Sequence, residues 1–306
     1  MVLVRDVTLR DGLQDEAPIP TEAKLALFEA LADAGVAEVE LTSFVRPDRV
    51  PAMADAEAVV ATTGDGSSMV RWGLVLNRRG AERAIAAGVR HLQFVCSVSE
   101  AHNLENAGRT VAASLAELAE IVAIAAPQGA VTEAVLATAF GCPFTGPVPA
   151  ATVQQAAEVA LATGIVGIAL ADTIGTAVPT EVAAQVRAVH AIAGELPVGV
   201  HLHDTRGLAL ANALTAIDAG AVRVDAAVGG LGGCPFAPGA SGNLATEDLV
   251  HALEAMGTDT GIDLDRLIAA SRLACELVGR PVESHVGVAG PRFRGTPYAS
   301  AAPPTG

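Results

Sequence analysis

The five residues VHLHD, 200–204, place two histidines two positions apart. In an extended strand, positions i and i+2 face the same way, so His201 and His203 would project side by side. Two neighbouring imidazoles are half of a divalent-metal site, and one carboxylate would complete a two-histidine, one-carboxylate set. Asp11, in the early triplet Arg10–Asp11–Gly12, can supply it. The competing readings are two histidines satisfied by core hydrogen bonds and an Asp-Gly pair that merely marks a turn. Arg10 can pair with Glu40 or face a developing oxyanion. Asp172, in ALADTIG, can cap a helix or serve a site, and Ser43, in ELTSF, can be a turn residue. Cys234 lies in GGLGGCPFAPGASGN (229–243), whose glycines are costly to order. A cysteine is usually a small buried hydrophobe, but a glycine-rich setting gives a reactive role more weight.

These residues need a scaffold, and the sequence repeats one phrase that provides it. A helical stretch ends in glycine and a short β-branched run follows, at Gly35, Gly88, Gly129, Gly164, Gly194 and Gly220. Glycine suits the position just past a helix C-terminus, and the runs read as buried parallel strands. Eight strands are predicted, at about 2–8, 36–41, 69–76, 89–97, 130–138, 165–171, 197–203 and 222–228. Amphipathic helices lie between them, with Leu25, Phe28, Leu31 and Ala32 on one face, and Val111, Leu115, Leu118 and Val122 on another. The fold class this predicts is α/β, a (β/α)8 TIM barrel over residues 1–260. A short C-terminal helical extension and flexible tail, residues 261–306, would follow. An open doubly wound sheet is the alternative, but no GxGxxG follows the first strand and no GK[ST] occurs. In a barrel, Arg10, Asp11, Glu40, Ser43, Asn77, Ser97, Thr138, Asp172, His201 and His203 all fall at C-terminal strand ends. That rim is where such folds build active sites, and the convergence favours metal for the histidine pair.

Composition excludes other classes. A net charge of −15 repels phosphate backbones, and 3% aromatic residues leave few stacking platforms, so nucleic acid is not expected as a partner. Cys96, Cys142, Cys234 and Cys275 form no CxxC pair, which disfavours structural zinc and a disulfide scaffold. The start MVLVRDVTLRDG is charged too early for a signal peptide. No uninterrupted apolar run is long enough to span a membrane. The expectation is a reduced, cytoplasmic protein.

Six motifs, in order from about residue 8 to about 265, identify a resemblance: TLRDGLQDE, ELTSFVRPDRVPAMADA, FGCPFTGPV, LADTIGTAVP, HLHDTRGLALAN and VGGLGGCPFAPGASGNLATEDLV. Together they resemble the 3-hydroxy-3-methylglutaryl-CoA lyase family, within the metal-dependent TIM-barrel lyases and synthases. The resemblance implies that Asp11, His201, His203 and Asn243 ligate Mg²⁺ or Mn²⁺, with Gly242 allowing the close approach of Asn243. It implies that Arg10 stabilises an enolate oxygen, that Glu40 orients Arg10, and that Cys234 transfers a proton from a mobile loop. His201 or Asp11 would be the base, and Asp172, Gln14 and Ser43 would complete the substrate pocket. It further implies an acyl-CoA substrate and a homo-oligomer, a dimer. Ala17 stands where the family often has a basic residue, and residues 97–110 depart from the lyases' usual wording. TLRDG is spelled as in Claisen-type synthases, but those carry a long further domain, whereas only residues 261–306 follow here. A barrel that only binds metal or CoA would lack a ligand or base, and none is visibly missing.

Overall fold

The computed structural model describes residues 2–64, 68–233 and 242–293. Eight parallel strands pair in chain order: β1 (Leu3–Asp6), β2 (Glu38–Ser43), β3 (Val70–Val75), β4 (His91–Ser97), β5 (Val131–Ala137), β6 (Ile168–Asp172), β7 (Val198–Leu202) and β8 (Arg223–Ala226). β1 pairs with both β2 and β8, so the sheet closes into the predicted barrel. The glycines predicted to end helices have φ between 63° and 110°. β1 and β8 stop short of their predicted ends for a definite reason in each case. After β1, the Val7 carbonyl accepts the N–H groups of Arg10, Asp11 and Gly12 at 3.2, 2.8 and 3.1 Å, winding Thr8–Gly12 into a single π-helical turn. After β8, the chain turns at Val228–Gly230.

The helices around the sheet are α1 (Thr21–Asp33), α2 (Ala56–Thr63), α3 (Arg78–Ala86), α4 (Glu100–Ala107), α5 (Val111–Ala125), α6 (Ala150–Leu161), α7 (Pro179–Ala193), α8 (Ala209–Asp218) and α9 (Thr246–Ala255). Beyond residue 260 come α10 (Leu264–Val278), packed against α1, and α11 (His285–Ala289), where the sequence predicts one helix. Residues 294–306 lie outside the described residues. Val39, Leu92, Phe94, Leu170, Val200 and Val224 are fully buried in the core shared by strands and helices. The buried stripes sit slightly rotated from prediction. In α1 the buried residues are Lys24, Leu27, Phe28 and Leu31; in α5 they are Ser114, Leu115, Leu118, Ile121 and Ala125. Lys24 is tolerated inside because its Nζ donates to the Ala52 carbonyl at 2.6 Å and pairs with Asp55. By length and composition, Val111–Gln128 could cross a membrane, with a mean hydropathy of 1.4. Here it is a layer helix lying on β4 and β5.

The inside of the barrel is where this chain departs from a hydrocarbon core. Arg5 donates to Glu38 from Nε at 3.0 Å and from one terminal nitrogen at 2.8 Å, and it grips Glu133 with both terminal nitrogens. Its guanidinium stacks 4.0 Å above the Trp72 ring, whose Nε1 donates to Glu38 at 2.8 Å. Arg223 shares Glu133 Oε2 with Arg5, at 2.5 Å, and pairs with Asp225 at 3.0 Å. Gly199 on β7 is the residue that leaves room: a Cβ there would stand 2.8–2.9 Å from the Arg223 guanidinium. With carboxylates on two sides, that guanidinium cannot swing away freely. Gly199→Ala is therefore expected to cost about 1–3 kcal/mol by overpacking. Thermal unfolding measures this; an unchanged midpoint would mean that Arg223 yields at no cost.

Candidate active site and metal centre

The π-helical turn after β1 aims two adjacent polar side chains at the barrel mouth. Such turns occur often at functional sites. The turn is braced from below: Asp6 accepts the Thr8 N–H at 2.9 Å and the Thr246 hydroxyl at 2.8 Å, and Thr8 Oγ1 accepts the Val228 N–H at 2.8 Å. Arg10 then pairs with Asp11 and, at 2.6 Å, with Glu40, while reaching Gln14 Oε1 at 3.4 Å. Glu40 lies fully buried beneath Arg10. Burial pushes the Glu40 carboxyl up, with the Arg10 charge opposing it. The pairing of Arg10 with Glu40 is the one the structure shows, and Arg10 also lines the cavity.

His201 and His203 leave β7 on one face, as their spacing predicts. His203 Nε2 lies 3.5 Å from Asp11 Oδ2, His201 Nε2 lies 3.8 Å from the same oxygen, and the two Nε2 atoms are 3.3 Å apart. One ligand atom from each of Asp11, His201 and His203 falls within 4.8 Å of the others, and all three residues are buried. The far nitrogens are held as well: His203 Nδ1 bonds the Thr173 carbonyl at 2.9 Å, and His201 Nδ1 lies 3.5 Å from Asp225. Such outer partners fix which ring nitrogen faces a metal. Burial alone would raise the Asp11 carboxyl, but Arg10 and the two histidines hold it well below the usual carboxylate range. Burial works against a charged His201, yet Asp225 and Asp11 outweigh it and push its pKa up.

Asn243 reaches this cluster by threading. Residues 242–245 run between the ends of β7 and β8: Leu244 N–H donates to Leu202 at 3.0 Å, and Ala227 N–H to Leu244 at 2.9 Å. Gly242 is needed there, because a Cβ would stand 2.0 Å from the Gly230 carbonyl oxygen. Asn243 Nδ2 donates to Asp11 at 2.7 Å and to the Leu231 carbonyl at 3.0 Å, leaving its Oδ1 buried and unpartnered. A buried carbonyl oxygen without a partner, on an amide bonded to the carboxylate of this cluster, fits a divalent cation as a further oxygen donor. The donor set of nitrogen and oxygen atoms, without thiolate, suits an exchangeable ion rather than structural zinc.

A cavity of about 800 Å³ opens over the cluster, and Arg10, Asp11, Gln14, Ser43, His201 and His203 line it. Glu40 and Asn243 support it from behind, whereas Asp172 does not reach its wall. The Asp172 carboxylate accepts the Thr176 and Ala177 N–H groups, each at 2.9 Å, so it caps the loop that carries Thr173. Asp172 caps this loop rather than a helix, since α7 begins at Pro179 without a side-chain cap, and any part it has in the site acts through the His203–Thr173 bond. Cys234 lies outside the described residues; Gly233 before it lines the cavity. The reading from sequence misses Asp225, although an acid two residues after Arg223 in an otherwise apolar strand was a signal of an inward-facing charge. Thr138, placed at the end of β5 as the sequence predicts, has φ 58°, rare for a β-branched residue. Thr138 is held there by its N–H bond to Thr173 Oγ1 at 2.8 Å and by the Ser99 N–H at 3.2 Å.

The HMGL-like family model matches residues 2–274. The (R)-citramalyl-CoA lyase of Chloroflexus aurantiacus is 43% identical, covering 95% of this chain and 96% of its own length. The hydroxymethylglutaryl-CoA lyase YngG of Bacillus subtilis is 39% identical over 92% of this chain and 95% of its own. Among solved structures, an HMG-CoA lyase from Acinetobacter baumannii in complex with coenzyme A and 3-methylmalate superposes with a TM-score of 0.92, at 41% identity over 97% of both chains. The barrel, the histidine–carboxylate cluster at its mouth and these matches agree: the chain belongs to the HMGL-like family.

Proposed function

We propose that this protein is a carbon–carbon lyase that cleaves a 3-hydroxyacyl-CoA with a tertiary alcohol, of the 3-hydroxy-3-methylglutaryl-CoA type, to acetyl-CoA and a keto acid. The observation that carries the reading is the Asp11–His201–His203 cluster sharing one cavity with Arg10, with Asn243 bonded to Asp11 from behind. Asp11, His201, His203 and Asn243 would hold Mg²⁺ or Mn²⁺. Such an ion lowers the pKa of a hydroxyl it binds and holds charge on a neighbouring oxygen.

The chain's own groups divide the remaining work. The substrate hydroxyl gives its proton to Asp11 or His201, and Asp225 behind His201 holds the far nitrogen of that ring. The bond between the carbinol carbon and the carbon next to the thioester breaks. Its electron pair passes to the thioester as an enolate, and the carbinol carbon becomes a ketone. Arg10, anchored by Glu40, supplies positive charge where the enolate oxygen develops. Gln14 and Ser43 offer polar contacts to the substrate. Cys234 protonates the enolate carbon, completing acetyl-CoA.

The relative at 43% identity supports a second substrate of the same chemistry. Citramalyl-CoA carries the same tertiary alcohol but holds its carboxylate directly on the carbinol carbon, one methylene closer than in 3-hydroxy-3-methylglutaryl-CoA. Cleavage of the first releases pyruvate and of the second acetoacetate, so product analysis with both thioesters separates them. An acyl-CoA partner and a dimeric assembly complete the proposal.

Two outcomes are expected. Chelating divalent ions abolishes keto-acid release and adding back Mg²⁺ or Mn²⁺ restores it; full activity in metal-free enzyme refutes the metal role. Cys234→Ser loses most turnover while calorimetric Mn²⁺ binding persists; untouched turnover would remove Cys234 from the chemistry.

A further inference from the structure

The cavity is built in two halves. Strands β1, β2 and β7 supply its polar side, with Arg10, Asp11, Ser43, His201 and His203. Strands β3 to β6 supply Leu74, Val95, Val135, Ala137 and Ala171, with Gln93 of β4 as the one polar residue these strands add to the lining. Val135, Ala169 and Ala171, with Val95 against them, form an apolar cluster separate from the main core between strands and helices. An apolar patch inside an otherwise ionic barrel has no role in holding an ion or a phosphate. It is dry surface offered to a hydrocarbon group.

Register places one residue of that patch at the seam. His201 has two strand neighbours at its own level: Asp225 on β8 and Ala171 on β6. Registered neighbours in a parallel pair are about 4.8 Å apart and face the same side. Of the two, only Ala171 is apolar, and it lines the cavity next to His201.

Resting on the lyase reading, we propose that Ala171 sets the size of the alkyl group accepted on the carbinol carbon. That carbon carries a hydroxyl, a thioester arm, a carboxylate arm and an alkyl group. The hydroxyl must lie against Asp11 and His201 to lose its proton. The two arms end in groups that accept hydrogen bonds and belong on the polar side or toward the cavity mouth. The alkyl group alone has nothing to bond, and one carbon away from the hydroxyl it meets the apolar neighbour of His201. Alanine leaves space there for a methyl group; glycine would leave space for an ethyl group, and valine would occupy it.

The test uses purified holoenzyme with Mn²⁺ and three 3-hydroxyglutaryl-CoA thioesters that differ only in carrying hydrogen, methyl or ethyl on the carbinol carbon. Ala171→Val is expected to lower the methyl-to-hydrogen ratio of kcat/KM by about 10- to 200-fold, the range one methylene commands in a tight pocket. Ala171→Gly is expected to raise the ethyl-to-methyl ratio by at least about tenfold. Opposite movements of these two ratios, with Mn²⁺ affinity unchanged, support the assignment. Should Ala171→Val fail to fold, the glycine variant decides alone. Ratios that stay put in the folded variants overturn it. A wild-type enzyme that cleaves neither these thioesters nor citramalyl-CoA overturns the lyase reading instead.

Discussion

Everything at the mouth of this barrel rests on a chain of alternating charges that rises through its interior. Glu38, Arg5, Glu133, Arg223 and Asp225 pair in sequence from the floor upward. Asp225 then meets His201, His201 meets Asp11, Asp11 meets Arg10, and Arg10 meets Glu40. Arg5, Glu40 and Asp225 are almost wholly excluded from water. Buried charges are stable only in company, and removing one partner from a buried pair costs about 3–5 kcal/mol because the other is left stranded. Each member is therefore fixed by its neighbours on both sides. The cluster that would hold an ion is the upper end of an electrostatic column, and its side chains are oriented before any ligand arrives.

That column accounts for how much of the site was legible in the sequence. The parts encoded locally were readable: the two-residue spacing of His201 and His203, the glycine-ended helices, and the order of eight strands. Asn243 and Glu40 were found through motifs, and the structure supplies their geometry. The column itself was not readable, because its partners are distant in the chain. Arg5 and Glu133 are separated by 128 positions, and Arg223 and Glu133 by 90. Only closure of the barrel brings them together. A trace was present in single charged residues inside apolar runs, in LVRD, VTEAV and VRVDA. The ends of β1 and β8 were overestimated for a similar reason. Val7, Thr8 and Val228 have strand-like side chains, but a π-helical turn and a short turn at Val228–Gly230 claim them. Asp172 reads as a site acid from its place at a strand end, yet its carboxylate is occupied by the backbone of the following loop.

The division of the cavity ties fold to chemistry. Most apolar residues that line the cavity from the strands come from β3 to β6, opposite Arg10 and the two histidines, which favours one orientation for a substrate with one hydrocarbon group and several oxygens. The ionic column backs the half where charge moves. The apolar half is backed by Val135 and Ala169, which hold no charge and no water-binding group. Retro-aldol cleavage needs this asymmetry, with proton removal and enolate stabilisation on one side and shape on the other.

The central claim is that Asp225, a residue that does not line the cavity, sets the metal site through His201. Calorimetric titration of Mn²⁺ into folded Asp225→Asn, which keeps the side-chain volume and removes the charge, tests it most directly. The account predicts an affinity about 10- to 100-fold weaker than that of the wild type. Equal affinity in the two proteins would contradict it.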